Sequence, residues 1–131
     1  VFTQTPLPYI SGRTIGQTYV FRFPSSDETV PIPGNVKTRG YLGPDQDVTI
    51  VRYCVDNSQG MWLALELGGH YGWMKLYSPT NNPLVSIGDN KTNPEVRISS
   101  SYEVVCPYSR EDPILGVPTP ACGYWDCDYD D

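Results

Sequence analysis

Residues 48–76, VTIVRYCVDNSQGMWLALELGGHYGWMKL, decide the fold of this chain. The stretch holds three apolar runs separated by polar or glycine-rich turns. In the middle run, MWLALEL, a methionine and three leucines alternate with Trp62, Ala64 and Glu66, so the two sets fall on opposite faces of a strand. Apolar residues at every second position, bounded by Gly, Asn, Asp and Ser, are typical of antiparallel hairpins. The sequence therefore predicts a three-stranded antiparallel meander.

The composition also indicates an all-β fold. The 131 residues include 13 Pro and 12 Gly, well above the average of about 12% for the two together. No stretch long enough for a helix lacks these residues or shows an apolar stripe with a helical period. The length predicts one domain with a modest core.

Charge and hydropathy narrow the choice of partners. The net charge is −6, the pI is about 4.6 and the nine Lys and Arg residues are scattered along the chain. An acidic surface repels phosphate backbones, so we expect no nucleic-acid partner. No apolar run approaches the roughly 18 residues of a membrane span, so we expect no membrane-spanning segment.

Four cysteines in a small, acidic, Tyr- and Pro-rich chain favour an oxidising compartment. Of the three possible pairings we favour Cys54–Cys106 and Cys122–Cys127, with free buried thiols in a cytosolic protein as the alternative. A chain that begins at Val1, without Met or an apolar leader, is expected to be a mature product. Asn90-Lys91-Thr92 fits the N-glycosylation pattern in a predicted loop. Together these features predict an extracellular or cell-surface protein.

Three segments are predicted along the chain. Residues 1–17 alternate poorly and read as an extended arm that needs a neighbouring surface. Residues 18–77 contain a strand at 18–23 and the meander. Residues 78–131 form a Pro- and Asn-rich extension with an acidic tail, and apolar pieces predict short strands in it. These pieces are residues 84–87, 95–98 and 102–106, and they would add strands to the same sheet or to a neighbouring molecule.

Residues 18–77 carry motifs that resemble bacterial SH3-type (SH3b) domains. The opening strand and loop present Val20, Arg22, Pro24 and Ser25 in that family's pattern. Further along, an apolar strand at 48–51 is followed by Gly60-Met61-Trp62 and by Gly72-Trp73-Met74. The resemblance implies a small SH3-like barrel. It also implies a module that binds cell-wall glycan or peptide, with Trp62, Tyr71 and Trp73 as the binding residues.

The sequence leaves two interpretations of the position of the Trp62 side chain. It lies on the strand face opposite the leucines, which makes it a candidate for an exposed contact, because Trp and Tyr supply contact area at low entropic cost. Alternatively, the extension after Tyr77 covers it.

Catalytic and metal sites are weakly indicated. Peptidases associated with SH3-type modules need a Cys beside a His base, but His70 is the only histidine and no cysteine shares its loop. Glu66 has no obvious carboxylate partner for glycoside hydrolysis. Asp126, Asp128, Asp130 and Asp131 resemble the start of a calcium loop without its glycine and distal glutamate, and a solvated tail is the simpler interpretation. We therefore expect no enzymatic activity, cofactor or metal.

Two functional hypotheses follow. The first is a structural subunit of an extracellular surface or filamentous assembly of copies of this chain. In it, residues 1–16 or 95–106 would complete a neighbour's sheet by strand addition. The second is a binding module for cell-wall glycan or peptide, as the resemblance implies.

Overall fold

The computed structural model describes residues 7–24, 29–30, 40–58, 60–68 and 71–108. These residues form strands and short 3₁₀ helices, so the predicted all-β fold is confirmed. The strands are β1 (Ile10–Thr14), β2 (Thr18–Tyr19), β3 (Tyr41–Leu42), β4 (Asp47–Asp56), β5 (Gly60–Glu66), β6 (Tyr71–Lys75) and β7 (Val85–Ile87). The 3₁₀ helices are Pro94–Arg97 and Ser100–Tyr102.

The predicted meander is confirmed, since β4, β5 and β6 are consecutive antiparallel neighbours. Asp56 closes the β4–β5 turn because its Oδ1 accepts hydrogen bonds from the N–H and the hydroxyl of Ser58, both at 2.8 Å. Gly60 then adopts a φ of +84°, a backbone conformation that glycine reaches without a Cβ clash.

β1 is an internal strand of the main sheet, whose order is β6-β5-β4-β1-β7. It pairs antiparallel with β4 on one side and with β7 on the other. Residues 10–14 of the predicted arm are therefore a strand of the sheet, held by β4 and β7 of the same chain, while residues 1–6 lie outside the described residues.

Gly12 explains why this segment reads poorly as a strand and yet fits inside the sheet. A Cβ at this position would come within 3.1 Å of Val85 Cγ2 and 3.2 Å of Ile50 Cδ1. Because Gly12 has no side chain, β1 can lie close to the side chains of β4 and β7. The same glycine interrupts the alternation of apolar residues in the sequence.

Both faces of the main sheet are buried. The first, which we call the leucine face, packs the largest cluster, and the second, the indole face, packs a smaller aromatic one. The predicted separation of the leucines from Trp62 and Ala64 is confirmed. Buried members of the leucine face include Ile50, Tyr53, Leu63, Leu65, Met74, Leu76 and Val85. Those of the indole face are Val51, Cys54, Trp62, Ala64, Tyr71, Trp73 and Cys106.

A β-bulge in β4 determines which face of the sheet each residue in the second half of β4 points to. The register with β5 shifts between Ile50 and Arg52, so Ile50 lies opposite Leu65 while Cys54 lies opposite Trp62. An extra residue in one strand reverses which residues point to each face beyond it. The bulge therefore turns Cys54 toward the indole face.

Among the described residues the sheet does not close into a barrel, so the closed barrel expected from the sequence is wrong while the all-β class holds. A closed barrel gives every strand two neighbours, whereas β6 and β7 are the outer strands here. At the outer edge of β6, Phe21 forms an isolated bridge to Trp73 through two backbone hydrogen bonds of 2.8 Å. β2 and β3 form a separate two-stranded sheet. The strand predicted at 18–23 is thus limited to Thr18–Tyr19 and the Phe21 bridges.

The extension contributes one of its three predicted strands. Residues 84–87 contain β7, as predicted. Residues 95–98 were predicted as a strand, which is wrong, because Pro94 begins a 3₁₀ helix there. In residues 102–106 the predicted strand is reduced to a single parallel bridge between Glu103 and Tyr53 of β4. The main sheet thus takes strands from all three predicted segments.

Gly72 provides a test of how closely the β2 region packs on β6. A methyl group at Gly72 would collide with Val20 Cγ1 and come within 2.9 Å of Val30 Cγ2. We expect Gly72→Ala to lower the free energy of unfolding by about 1–3 kcal/mol through overpacking. Gly16→Ala is the matched control, because no atom lies within 4 Å of a Cβ built there. Urea denaturation compares both variants with the parent, and an unchanged midpoint for Gly72→Ala would contradict this packing.

Candidate functional site

The predicted Cys54–Cys106 disulfide is confirmed. It joins β4 to the extension with a Cα–Cα distance of 5.1 Å and a sequence separation of 52 residues. Both cysteines are buried, which shields the bond from reductants. Cys122 and Cys127 lie outside the described residues.

The three predicted binding residues lie together but do not form an exposed surface. Trp62, Tyr71 and Trp73 share the indole face and are exposed by only 2%, 3% and 0%. The prediction that Trp62 is an exposed contact is therefore wrong. Val104 and Cys106 of the extension pack in the same cluster, so the alternative interpretation, in which the extension covers Trp62, is confirmed.

Two further contacts hold the Trp62 ring from the sides. Phe21 meets it edge-on at a centroid distance of 6.0 Å, and Lys75 Nζ lies 5.8 Å from its centroid. The Nε1 atoms of Trp62 and Trp73 are buried without a hydrogen-bond partner in the described part of the chain. Neither indole N–H therefore helps to position its ring. Packing holds both rings, and the Lys75 ammonium adds a cation–π contact to Trp62.

Hydrogen bonds from tyrosines join segments that lie outside the strands and far apart in sequence. Tyr102 donates to the carbonyl oxygen of Pro8 at 2.6 Å, while its ring lies beneath the Arg52 guanidinium, 5.8 Å from the centroid. Tyr77 donates to Glu95 Oε1 at 2.8 Å and thereby ties the first 3₁₀ helix to the residue that follows the meander. Composition alone could not reveal these pairs, since each joins residues far apart in sequence.

The same contacts alter the acidity of the tyrosines. Burial, followed by the hydrogen bond to Glu95, raises the pKa of Tyr77 to about 12. Burial and the charge of Glu103 raise the pKa of Tyr53. The hydrogen bond to Asp56 Oδ2, at 2.6 Å, is the main cause that raises the pKa of Tyr108.

Exposed apolar side chains are grouped in two places in the described chain. In the small sheet, Tyr19 and Tyr41 face each other across β2 and β3, with ring centroids 5.8 Å apart. Tyr19 is 49% exposed, and the Tyr41 hydroxyl donates to Gln17 Oε1 at 3.3 Å. We call Tyr19 and Tyr41 the tyrosine surface.

At the end of β4, Val55, Val105 and Tyr108 form what we call the valine surface. They are 50%, 87% and 50% exposed. The parallel Glu103–Tyr53 bridge and the disulfide place Val105 beside Val55. The hydrogen bond from Tyr108 to Asp56 holds the third member at the same end.

The remaining candidates yield no assembled site. His70 and the four tail aspartates lie outside the described residues. Glu66 ends β5 opposite Tyr71. Within the described ranges, no group of three or more His, Cys, Asp or Glu side chains is arranged to hold a metal ion. No helix in this part of the chain is long and apolar enough to cross a membrane.

Asn90 lies in an exposed turn after β7. Its Oδ1 accepts hydrogen bonds from the N–H groups of Thr92 and Asn93 at 3.1 and 2.9 Å, and the Thr92 hydroxyl lies 3.5 Å away. Lys91 and Thr92 are exposed. The asparagine is therefore held in an Asx turn at the surface.

Comparisons with known proteins give no relative for this chain: a scan against family models, a search of curated proteins and a search of solved structures each found no match.

The Tyr77–Glu95 hydrogen bond predicts a loss of stability in alkaline solution. A raised pKa in the folded state means that the folded protein holds this proton more tightly than the unfolded chain does. The stabilisation is complete below the ordinary tyrosine pKa of about 10 and is lost as the pH rises toward the folded value of about 12. The unfolding free energy of Tyr77→Phe should therefore fall less steeply with pH across this range than that of the parent. Glu95→Gln should reduce the slope only in part, because it removes the nearby charge but leaves the larger cause, burial, in place. Equal slopes for the parent and Tyr77→Phe would contradict the assignment.

Proposed function

We propose that this protein is a non-enzymatic extracellular structural protein, a subunit of a surface or filamentous assembly made of copies of itself. The observation that carries the proposal is the presence of two exposed apolar surfaces, one on the small β2–β3 sheet and one at the end of β4, on a fold whose main sheet is buried on both faces. Because the tyrosine and valine surfaces belong to different sheets, one copy presents two distinct contacts and can bind two others.

Strand addition, the mechanism expected from the sequence, is not supported by the positions of the terminal segments. β1 already has a partner on each side, and residues 95–106 form two 3₁₀ helices and a disulfide-linked segment. Donating either segment to a neighbour would break contacts within the same chain.

The sheet edges are also poor acceptors for a neighbour's strand. Ile87 of β7 exchanges two backbone hydrogen bonds with Asn90 at 3.2 and 3.1 Å. Trp73 at the β6 edge exchanges two with Phe21 at 2.8 Å. Lys75, a residue type that discourages edge-to-edge pairing, lies on the same edge. The tyrosine and valine surfaces are therefore the better contact surfaces.

The geometry favours a head-to-tail arrangement. Contact between the tyrosine surface of one copy and the valine surface of the next joins two different patches, which makes a heterologous contact. Such contacts close into rings or continue as open filaments, depending on the rotation between copies. Tyrosine is well suited to this role because it presents a large, rigid ring with a polar tip.

An extracellular location agrees with the buried disulfide, because such bonds persist in oxidising compartments. We further propose that Asn90 carries an N-linked glycan, supported by its surface turn and by the proximity of the Thr92 hydroxyl. A glycan there would lie beside β7, where its bulk would further block pairing at that edge.

Cell-wall glycan or peptide binding is the second proposal, and it derives from the SH3b resemblance. Trp62, Tyr71 and Trp73 are too deeply buried for that role. The exposed rings of Tyr19 and Tyr41, with Gln17 at hydrogen-bonding distance of Tyr41, offer an alternative contact that combines aromatic faces with an amide.

The deciding experiment measures the native mass of the full chain over a range of concentrations, with electron microscopy of the same samples. We expect species above the monomer mass of 14.6 kDa. Val105→Asp should weaken association about tenfold, equivalent to about 1.4 kcal/mol, because it places a charge in the apolar contact.

Val96→Asp is the matched control, because Val96 is also an exposed valine, at 63%, and lies in the first 3₁₀ helix away from both surfaces. It should change the association constant by no more than about twofold. A parent protein that remains monomeric at every concentration would overturn the assembly proposal. If Val105→Asp and Val96→Asp weakened association equally, the valine surface would not be part of the contact between copies. If the monomeric protein bound cell-wall fragments and lost this binding in Tyr41→Ala, the second proposal would replace the first.

A further inference from the structure

Tyr19 and Tyr41 are placed for a covalent modification. They are direct cross-strand partners in the two-stranded sheet formed by β2 and β3. Their ring centroids are 5.8 Å apart with an interplanar angle of 69°, so the edge of one ring meets the face of the other. Among the described ring contacts, this is the one between two tyrosines.

The pair is accessible, and its backbone support is slight. Tyr19 is about half exposed and Tyr41 partly exposed. Each strand is two residues long, and isolated two-stranded pairs are marginal in water. Small rotations of the side chains can therefore bring the ring carbons beside the two hydroxyl groups into contact without disturbing the main sheet.

We propose that Tyr19 and Tyr41 form an intramolecular dityrosine cross-link when a haem peroxidase and hydrogen peroxide are present. The peroxidase takes one electron and one proton from each phenol, and the peroxide is reduced to two molecules of water. The two phenoxyl radicals couple through the ring carbons ortho to the oxygens, which forms one carbon–carbon bond. The hydrogen on each coupled carbon then moves to its oxygen and restores the phenol, so the protein loses two hydrogen atoms in total.

Proximity decides which pair reacts. Two groups held in contact react with a high effective concentration, whereas radicals on separate molecules must first meet by diffusion. The product joins β2 to β3 permanently and closes the chain between residues 19 and 41 into a loop. A link of this kind stabilises a fold by restricting the unfolded chain. The inference takes its extracellular oxidant from the proposed function but does not depend on assembly.

Tryptic digestion gives a direct readout because of where the arginines fall. Cleavage after Arg13, Arg22, Arg39 and Arg52 releases peptides 14–22 and 40–52. Each peptide has a single tyrosine and no cysteine, so the cross-link appears as one joined species lighter by two hydrogens than the sum of its parts. The disulfide does not interfere.

The experiment treats dilute full-length protein with horseradish peroxidase and hydrogen peroxide, isolates the monomer and maps it by mass spectrometry. We expect the 14–22/40–52 species to exceed any other tyrosine link by about tenfold, given the effective concentration of a contacting pair. The purified cross-linked monomer should unfold at a higher temperature than the untreated protein.

Tyr19→Phe and Tyr41→Phe should each abolish this species. Tyr9→Phe, which removes a tyrosine of similar exposure at 46%, should leave its yield unchanged. Oxidation that gives mainly links between other peptides, or between molecules, would overturn the inference. The inference would also be overturned if Tyr9→Phe lost the cross-linked species to the same extent as Tyr19→Phe and Tyr41→Phe. Because the readout is made on dilute monomer, the inference can fail while the assembly proposal stands, and the reverse also holds.

Discussion

The structure depends on β4 being buried on both faces and paired along both edges. β5 runs along one edge, while β1 and then the Glu103 bridge share the other. A strand in this position needs a cover on each side, because apolar side chains point both ways. The chain supplies the covers from distant segments: Val20, Leu42, Ile98 and Tyr102 pack with the leucine face, and Phe21, Val104 and Cys106 pack with the indole face. Residues 98–106 of the extension are therefore part of the core.

The bulge after Ile50 links this arrangement to the disulfide. With unbroken alternation from Ile50, Cys54 would share the leucine face. The register shift places it opposite Trp62 on the indole face, where Cys106 also lies. The disulfide then fixes the extension beside β4 and presents Val105 at the end of the strand. One extra residue in a strand thus determines both how the second core is closed and which apolar side chain remains exposed.

The sequence predicted what is local and periodic. The hairpins, the two-faced alternation of β5 and the all-β class all follow from spacing over a few residues. Cys54–Cys106 belongs to one of the three ways in which four cysteines can be paired. The role of β1 could not be predicted from the sequence, because Gly12 interrupts the alternation of apolar residues. The reason for this glycine, its close approach to Val85, is visible only in the structure. The exposure of Trp62 was equally undecidable, since a ring opposite a leucine face can meet either solvent or a second cover. Val96 and Ile98 alternate like a strand, yet Pro94 begins a 3₁₀ helix and leaves Val96 exposed.

The candidate surfaces are the ones that packing and backbone pairing within the chain leave accessible. The faces of the sheet are occupied by its own cores, and the edges are engaged at Ile87 and Trp73 by nearby backbone. The tyrosine and valine surfaces remain accessible in the described structure. Scattered apolar residues need no explanation, but these two groups are held in place. A cross-strand ring contact holds the tyrosine surface, and a disulfide and a tyrosine–carboxylate hydrogen bond hold the valine surface. Because ordering exposed side chains before contact reduces the entropy lost on binding, the assembly we propose would require little further ordering at either surface.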